Sequence, residues 1–139
     1  TAQALTDRGG DFLSLKVEGI KDCAEVIVAG LPDHREQHIF GRRTLPEMDL
    51  ASLSCAIQNM WLAARVENVG LGWVSLFDPE KIKTLLNMPK DSHPVAILCL
   101  GYTDHFYDKP MLEQEGWAMR SDWKEMIMTN TWGNNDVSL

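Results

Sequence analysis

Residues 70–80, "GLGWVSLFDPE", hold the densest set of groups in the chain that could serve a ligand. Two glycines flank Leu71, and a tryptophan, Ser75 and an Asp-Pro pair follow within a few positions. Glycine lets the backbone come close to a flat molecule, and a serine hydroxyl can both donate and accept a hydrogen bond. A purely architectural reading is open beside this one: Gly-x-Gly at a helix end commonly makes a C-cap and a turn. The order, helix then glycines then strand, reverses that of a dinucleotide fingerprint. Ser75 has no basic neighbour in sequence to activate it, which argues against a hydrolase nucleophile.

Elsewhere the chemistry is sparse. The chain has no GxSxG elbow, HExxH pair or phosphate-binding P-loop. His34, His38, His93 and His105 lie mostly in loop-like sequence, where a surface role is expected. Cys23, Cys55 and Cys99 are widely spaced in apolar surroundings and form no CxxC, so buried free thiols are expected and no metal site.

A net charge of −7 argues against the basic face that nucleic-acid binding usually needs. A small anion could still be held by local arginines such as Arg42 and Arg43, or Arg120. No run approaches a membrane span, and the cysteine usage suits a reducing compartment, so a cytoplasmic location is expected. With 139 residues, 45% of them hydrophobic, the chain can build the core of one domain.

The elements that must position these groups follow from periodicity. A short amphipathic helix is expected over 11–21 and a β-branched strand over 24–30. Residues 31–49 are polar and contain two prolines, as in a functional loop. A helix over 50–66, with Asp49 as its cap, is apolar nearly all round, so it should be buried within the domain or between subunits. Gly70 is expected to end that segment, with a strand over 72–77 after it. Asp78 and Pro79 should open a helix that turns Ile82, Leu85 and Leu86 inward and stops at Pro89. The strongest strand is 94–102, and a short helix near 122–128 precedes a polar tail, 133–139. Helices alternating with strands define an α+β or α/β layered domain over 1–132.

"FGRRTLPEMDLASLSCAIQNMWLAARVENVGLGWVSLFDPEKIKTLLNMP", with "PVAILCLGY" and "KPMLEQEGW", resembles the flavin-dependent nitroreductase fold. Within it, "SCAIQNMWLAAR" followed by "GLGWVSLFDP" is similar to the 5,6-dimethylbenzimidazole synthase (BluB) branch. The likeness extends to about Trp132 and corresponds to the C-terminal two-thirds of such an enzyme. It implies an α+β fold, a mixed sheet packed against helices. The family's arginine-rich segment for the FMN phosphate and an acidic catalytic residue would lie before Thr1.

The resemblance implies cleavage of reduced FMN by molecular oxygen, releasing 5,6-dimethylbenzimidazole, the vitamin B12 lower ligand, and erythrose 4-phosphate. It further implies a homodimer with flavin at the interface and a separate flavin reductase. By the same likeness Gly70, Leu71, Gly72, Val74 and Ser75 run beside the flavin ring, Ser75 is the catalytic group, Trp73 is a candidate pocket wall, and Arg120 faces the phosphate. Two other readings remain at this point. One is an ordinary FMN-dependent nitroreductase or dehalogenase; the other is a truncated, non-catalytic flavin-fold domain.

Overall fold

The computed structural model describes residues 19–35, 45–116 and 118–135. The chain divides into two compact units, Thr1–Asp104 and His105–Leu139. The first holds α1 (Gly19–Asp22), β1 (Glu25–Leu31), α2 (Met48–Val66), β2 (Val69–Val74), α3 (Pro79–Leu85) and β3 (His93–Tyr102). The second holds α4 (Met111–Gln114) and α5 (Trp123–Met126).

β3 carries the run "HPVAILCLGY" and lies between the other two strands, antiparallel to both, in the order β1-β3-β2. Being central, it has a strand at each edge, and Pro94, Ala96, Ile97 and Leu98 are buried, in keeping with its nearly continuous apolar sequence. Pro94 has no N–H to give a ladder. The pairing accommodates it with a shift: Ala29 lies opposite Ala96, but Gly30 lies opposite Pro94, so Val95 is the extra residue of a bulge.

α2 covers one face of this sheet. Ile57, only 2% exposed, packs with Leu71, Ala96 and Leu98, and Leu53, Ala64, Ala29 and Leu100 close around them. Leu53, Ile57 and Ala64 fall on one helical stripe. The rest of α2 is not buried by the described residues, which leaves only the second of the two expectations, burial between subunits, open for it. Within this chain Met48, Leu50, Met60, Trp61, Leu62 and Val66 are exposed, because a helix on one side of a sheet has only one face to bury.

The helix ends also differ in detail. Glu47, not Asp49, occupies the N-cap of α2, and it makes no side-chain capping bond. Asp49 sits in the first turn, where its charge favours the helix dipole, and lies 3.6 Å from Arg35. At the other end the left-handed residue is Asn68, with φ 59°, and its N–H donates to the Arg65 carbonyl. Asparagine tolerates that conformation, so the helix turns off before Gly70, which lies inside β2.

Asp78 caps α3 as expected. Its Oδ1 accepts from the N–H groups of Glu80 (3.0 Å) and Lys81 (3.3 Å), with Pro79 at the first helical position. Leu85 and Leu86, expected inside, are exposed, since α3 ends at Leu85 and Asn87, with φ 51°, turns the chain before Pro89. Lys83 Nζ donates to the Lys90 carbonyl at 2.6 Å and pins this turn. The expected helix 11–21 falls largely outside the described residues; its described end is α1.

In the second unit Asp122 Oδ1 accepts from Lys124 N–H and caps α5. Asn135 Nδ2 donates to the carbonyls of Lys124, Glu125 and Ile127, folding the following segment back on the helix end.

Candidate functional site

β2 alternates its side chains across the sheet. Leu71 and Trp73 lie opposite Leu100 and Leu98, on the α2 face, and Leu71 belongs to the buried cluster. Gly70, Gly72 and Val74 lie opposite Gly101, Cys99 and Ile97 on the other face. Trp73 is therefore on the opposite face from Gly72 and does not wall the space above it. Leu71 offers a ligand on the Gly72 face no side chain, and its contribution there is confined to the backbone.

The two glycines differ. A Cβ on Gly70 would lie 3.3 Å from the Gly101 carbonyl oxygen, tighter than an ordinary contact, so cross-strand packing alone accounts for glycine there. Among the described residues, a Cβ on Gly72 would meet nothing within 4 Å. Nothing in the fold of the described residues demands glycine at 72.

β2 is an edge strand among the described residues, so alternate residues turn their N–H and C=O away from β3. Ser75 follows directly, beyond the strand's last residue and exposed. The expected strand to Phe77 is thus shorter, because the chain bends at 75–78 to reach the Asp78 cap. The Ser75 hydroxyl has no hydrogen-bond partner among the described residues, so it does not satisfy its own backbone. An open glycine, an outward backbone edge and an unpaired hydroxyl therefore occur within four residues. Together they can accept a flat heteroaromatic group and offer it hydrogen bonds.

Arg120 belongs to the second unit, on the irregular exposed stretch before α5. Arg42, Arg43 and His38 lie outside the described residues. His105 stacks edge-to-face on Tyr107 at 5.9 Å, in a surface depression lined also by Phe106, Asp108, Lys109 and Gln114. Among the described residues no group of three or more His, Cys, Asp or Glu side chains could hold a metal ion.

The thiols depart from the expectation of burial. Cys55 is exposed on α2, while Cys23 and Cys99 are half-buried; all three are free. Burial pushes the Cys99 thiol above its ordinary range, and the nearby Cys23 pushes the same way. In sequence Cys99 and Gly101 read only as strand residues. The period of two in β3 puts both on the face of Gly72, but the β2–β3 register is needed to set them beside it.

Comparison with known proteins bears on the family. The nitroreductase family model matches residues 3–102. A 5,6-dimethylbenzimidazole synthase of Rhodobacter capsulatus is 37% identical over 116 residues, 81% of this chain and 56% of the relative. A protein of the same name from Rhodospirillum rubrum is 34% identical over 115 residues, 82% of this chain and 54% of the relative. The chain thus spans about half the length of the curated relatives it matches. A crystal structure of a nitroreductase family protein from Clostridium difficile 630 superposes with a TM-score of 0.60 at 23% identity, covering 90% of this chain and 69% of that one. The α+β architecture, the match over residues 3–102 and the curated relatives agree: the chain belongs to the nitroreductase family.

Proposed function

We propose that the chain belongs to a flavin-dependent oxidoreductase that cleaves reduced FMN with molecular oxygen to give 5,6-dimethylbenzimidazole. The observation that carries the site assignment is Gly72, a strand glycine with open space above it. The relatives named 5,6-dimethylbenzimidazole synthase supply the reaction class.

Bound reduced FMN would supply the electrons and the ring that is broken. The chain's residues would bind and orient it. Gly72 admits the ring plane close to the strand, while alternate backbone groups over residues 70–74 offer donors and acceptors at the outer edge of β2. Ser75, free to rotate its hydroxyl, would hold or pass a proton at its Oγ beside the reacting ring.

The reading includes a homodimer, which the apolar side chains of α2 support: Met60, Trp61 and Leu62 stay exposed among the described residues. It also includes a separate reductase to deliver the flavin reduced. A cytoplasmic location suits three unpaired cysteines. No described helix is long and apolar enough to cross a membrane.

The test is anaerobic titration with reduced FMN, then oxygen, with products identified by mass spectrometry. Dimethylbenzimidazole that forms with the parent protein and is lost in Ser75→Ala, at unchanged flavin affinity, supports the proposal. Recovery of intact FMN, with an added acceptor reduced instead, would point to an ordinary nitroreductase and overturn it.

A further inference from the structure

Cys23 stands at the bend between α1 and β1, and Cys99 lies in the middle of β3. They are remote in sequence but meet on one face of the sheet. β1 runs beside β3 with Val26 opposite Cys99 and Glu25 opposite Leu100, so the chain just before β1 reaches the Gly101 end of β3. A Cβ on Gly101 would lie 3.6 Å from Cys23 Cα and 3.9 Å from Cys23 Cβ. Cys23 therefore fills the space above Gly101. Cys99 is two residues back along the same strand, so it points to the same face about 6.7 Å away. Cys23 is near enough to raise the Cys99 thiol, after the larger effect of burial. Cys23 Sγ in turn donates to the Ile20 carbonyl at 3.2 Å, which holds it in this position.

We propose that Cys23 and Cys99 form a reversible oxidation site that closes into an intramolecular disulfide when the protein meets a hydroperoxide. Neighbouring thiols with no metal between them can complete that chemistry in two steps. One sulfur displaces water from hydrogen peroxide, forming an S–O bond as the O–O bond breaks and giving a sulfenic acid and water. The second sulfur attacks the first; the S–S bond forms, the S–O bond breaks, and the hydroxyl leaves with the second thiol's proton as another water. Two thiols lose two electrons in total and the peroxide is reduced to two waters.

Cys99 is the natural resolving partner, since its burial keeps its thiolate scarce. The resulting bond would tie the α1–β1 corner to the centre of β3. Cys99 is the cross-strand partner of Gly72, so the tie sits beside the open glycine.

The full chain, reduced and then treated with about one equivalent of hydrogen peroxide, is alkylated with N-ethylmaleimide and mapped by peptide mass spectrometry. The expected result is that alkylatable thiols fall from three to one, with Cys55 the survivor. The mass before alkylation drops by about 2 Da, a Cys23–Cys99 cross-linked peptide appears, and dithiothreitol reverses all of it. Cys23→Ser should abolish the cross-link while Cys55 still alkylates. A parallel oxidation in urea, where the strands are apart, should give mixed pairings that include Cys55. The same mixture in native buffer, three thiols still alkylatable, or stable oxygen adducts on Cys23 and Cys99 without a cross-link would each overturn the proposal. None of these readouts depends on flavin binding, so the site stands or falls apart from the reaction proposed above.

Discussion

Gly70 and Gly101 face each other across β2 and β3, and a Cβ on Gly70 would lie 3.3 Å from the Gly101 carbonyl oxygen. Two residues on, Gly72 faces Cys99 with open space where its side chain would be. One glycine is needed by the sheet. The other is spare as far as the sheet is concerned.

Gly70→Ala should therefore destabilise the protein by about 1 kcal/mol, since a ladder carbonyl cannot move aside as a flexible side chain would. Gly72→Ala should leave stability unchanged or raise it by about 0.5 kcal/mol through reduced chain entropy in the unfolded state. Urea midpoints of the two variants compare these directly. Flavin titration should show the reverse ranking, with binding lost in Gly72→Ala and kept in folded Gly70→Ala. Equal flavin affinity in Gly72→Ala and the parent would remove the ligand from this face.

Ile57 joins α2 to the sheet and is the most deeply buried side chain of that helix. Ile57→Ala should cost about 3 kcal/mol, the sum of lost burial and the cavity left among Leu71, Ala96 and Leu98. Leu62→Ala, on the exposed side of the same helix, should change monomer stability by less than about 0.5 kcal/mol. If α2 meets a second copy, Leu62→Ala should instead shift the dimer-to-monomer equilibrium in light scattering.

Asp78→Ala removes the acceptor for the N–H groups of Glu80 and Lys81 and should cost about 1 kcal/mol. Asp78→Asn, which keeps a capping oxygen, should recover most of it. Thermal melts of the three proteins suffice, and no rescue by asparagine would mean that the charge, rather than the cap, is what matters.

The Cys99 thiol gives the pH dependence a definite sign. Its folded value is raised by burial and by Cys23, so above about pH 8.5 the unfolded chain releases this proton before the folded one does. The folded state then binds more protons, and stability falls as pH rises from there until the folded thiol also ionises. Cys99→Ala should flatten that part of the profile. An unchanged slope between about pH 8 and 10 in the variant would show that other groups dominate.

Much of the fold is legible in the residues themselves. The continuous apolar run of 94–102 announces a covered strand, and Asp78-Pro79 announces a helix start, because both signals are local. The end of α2 is harder to read because two residue types compete for the left-handed position, and Asn68 comes first along the chain. The same helix reads as buried within the domain or between subunits because composition counts apolar residues without showing which of them have neighbours; Met60 and Trp61 have the right type and stay partly exposed.

The candidate site shows the same division. Residue types and order alone pair close-approach glycines with a hydroxyl over 70–75, and they carry the family. The strand pairings settle the rest: Gly70 serves the sheet and Gly72 does not, Trp73 turns to the opposite face, and Cys23 meets Cys99. Those are contacts between residues up to 76 positions apart (99 − 23). A period of two gives each residue a face, but only pairing with another strand says what stands across from it.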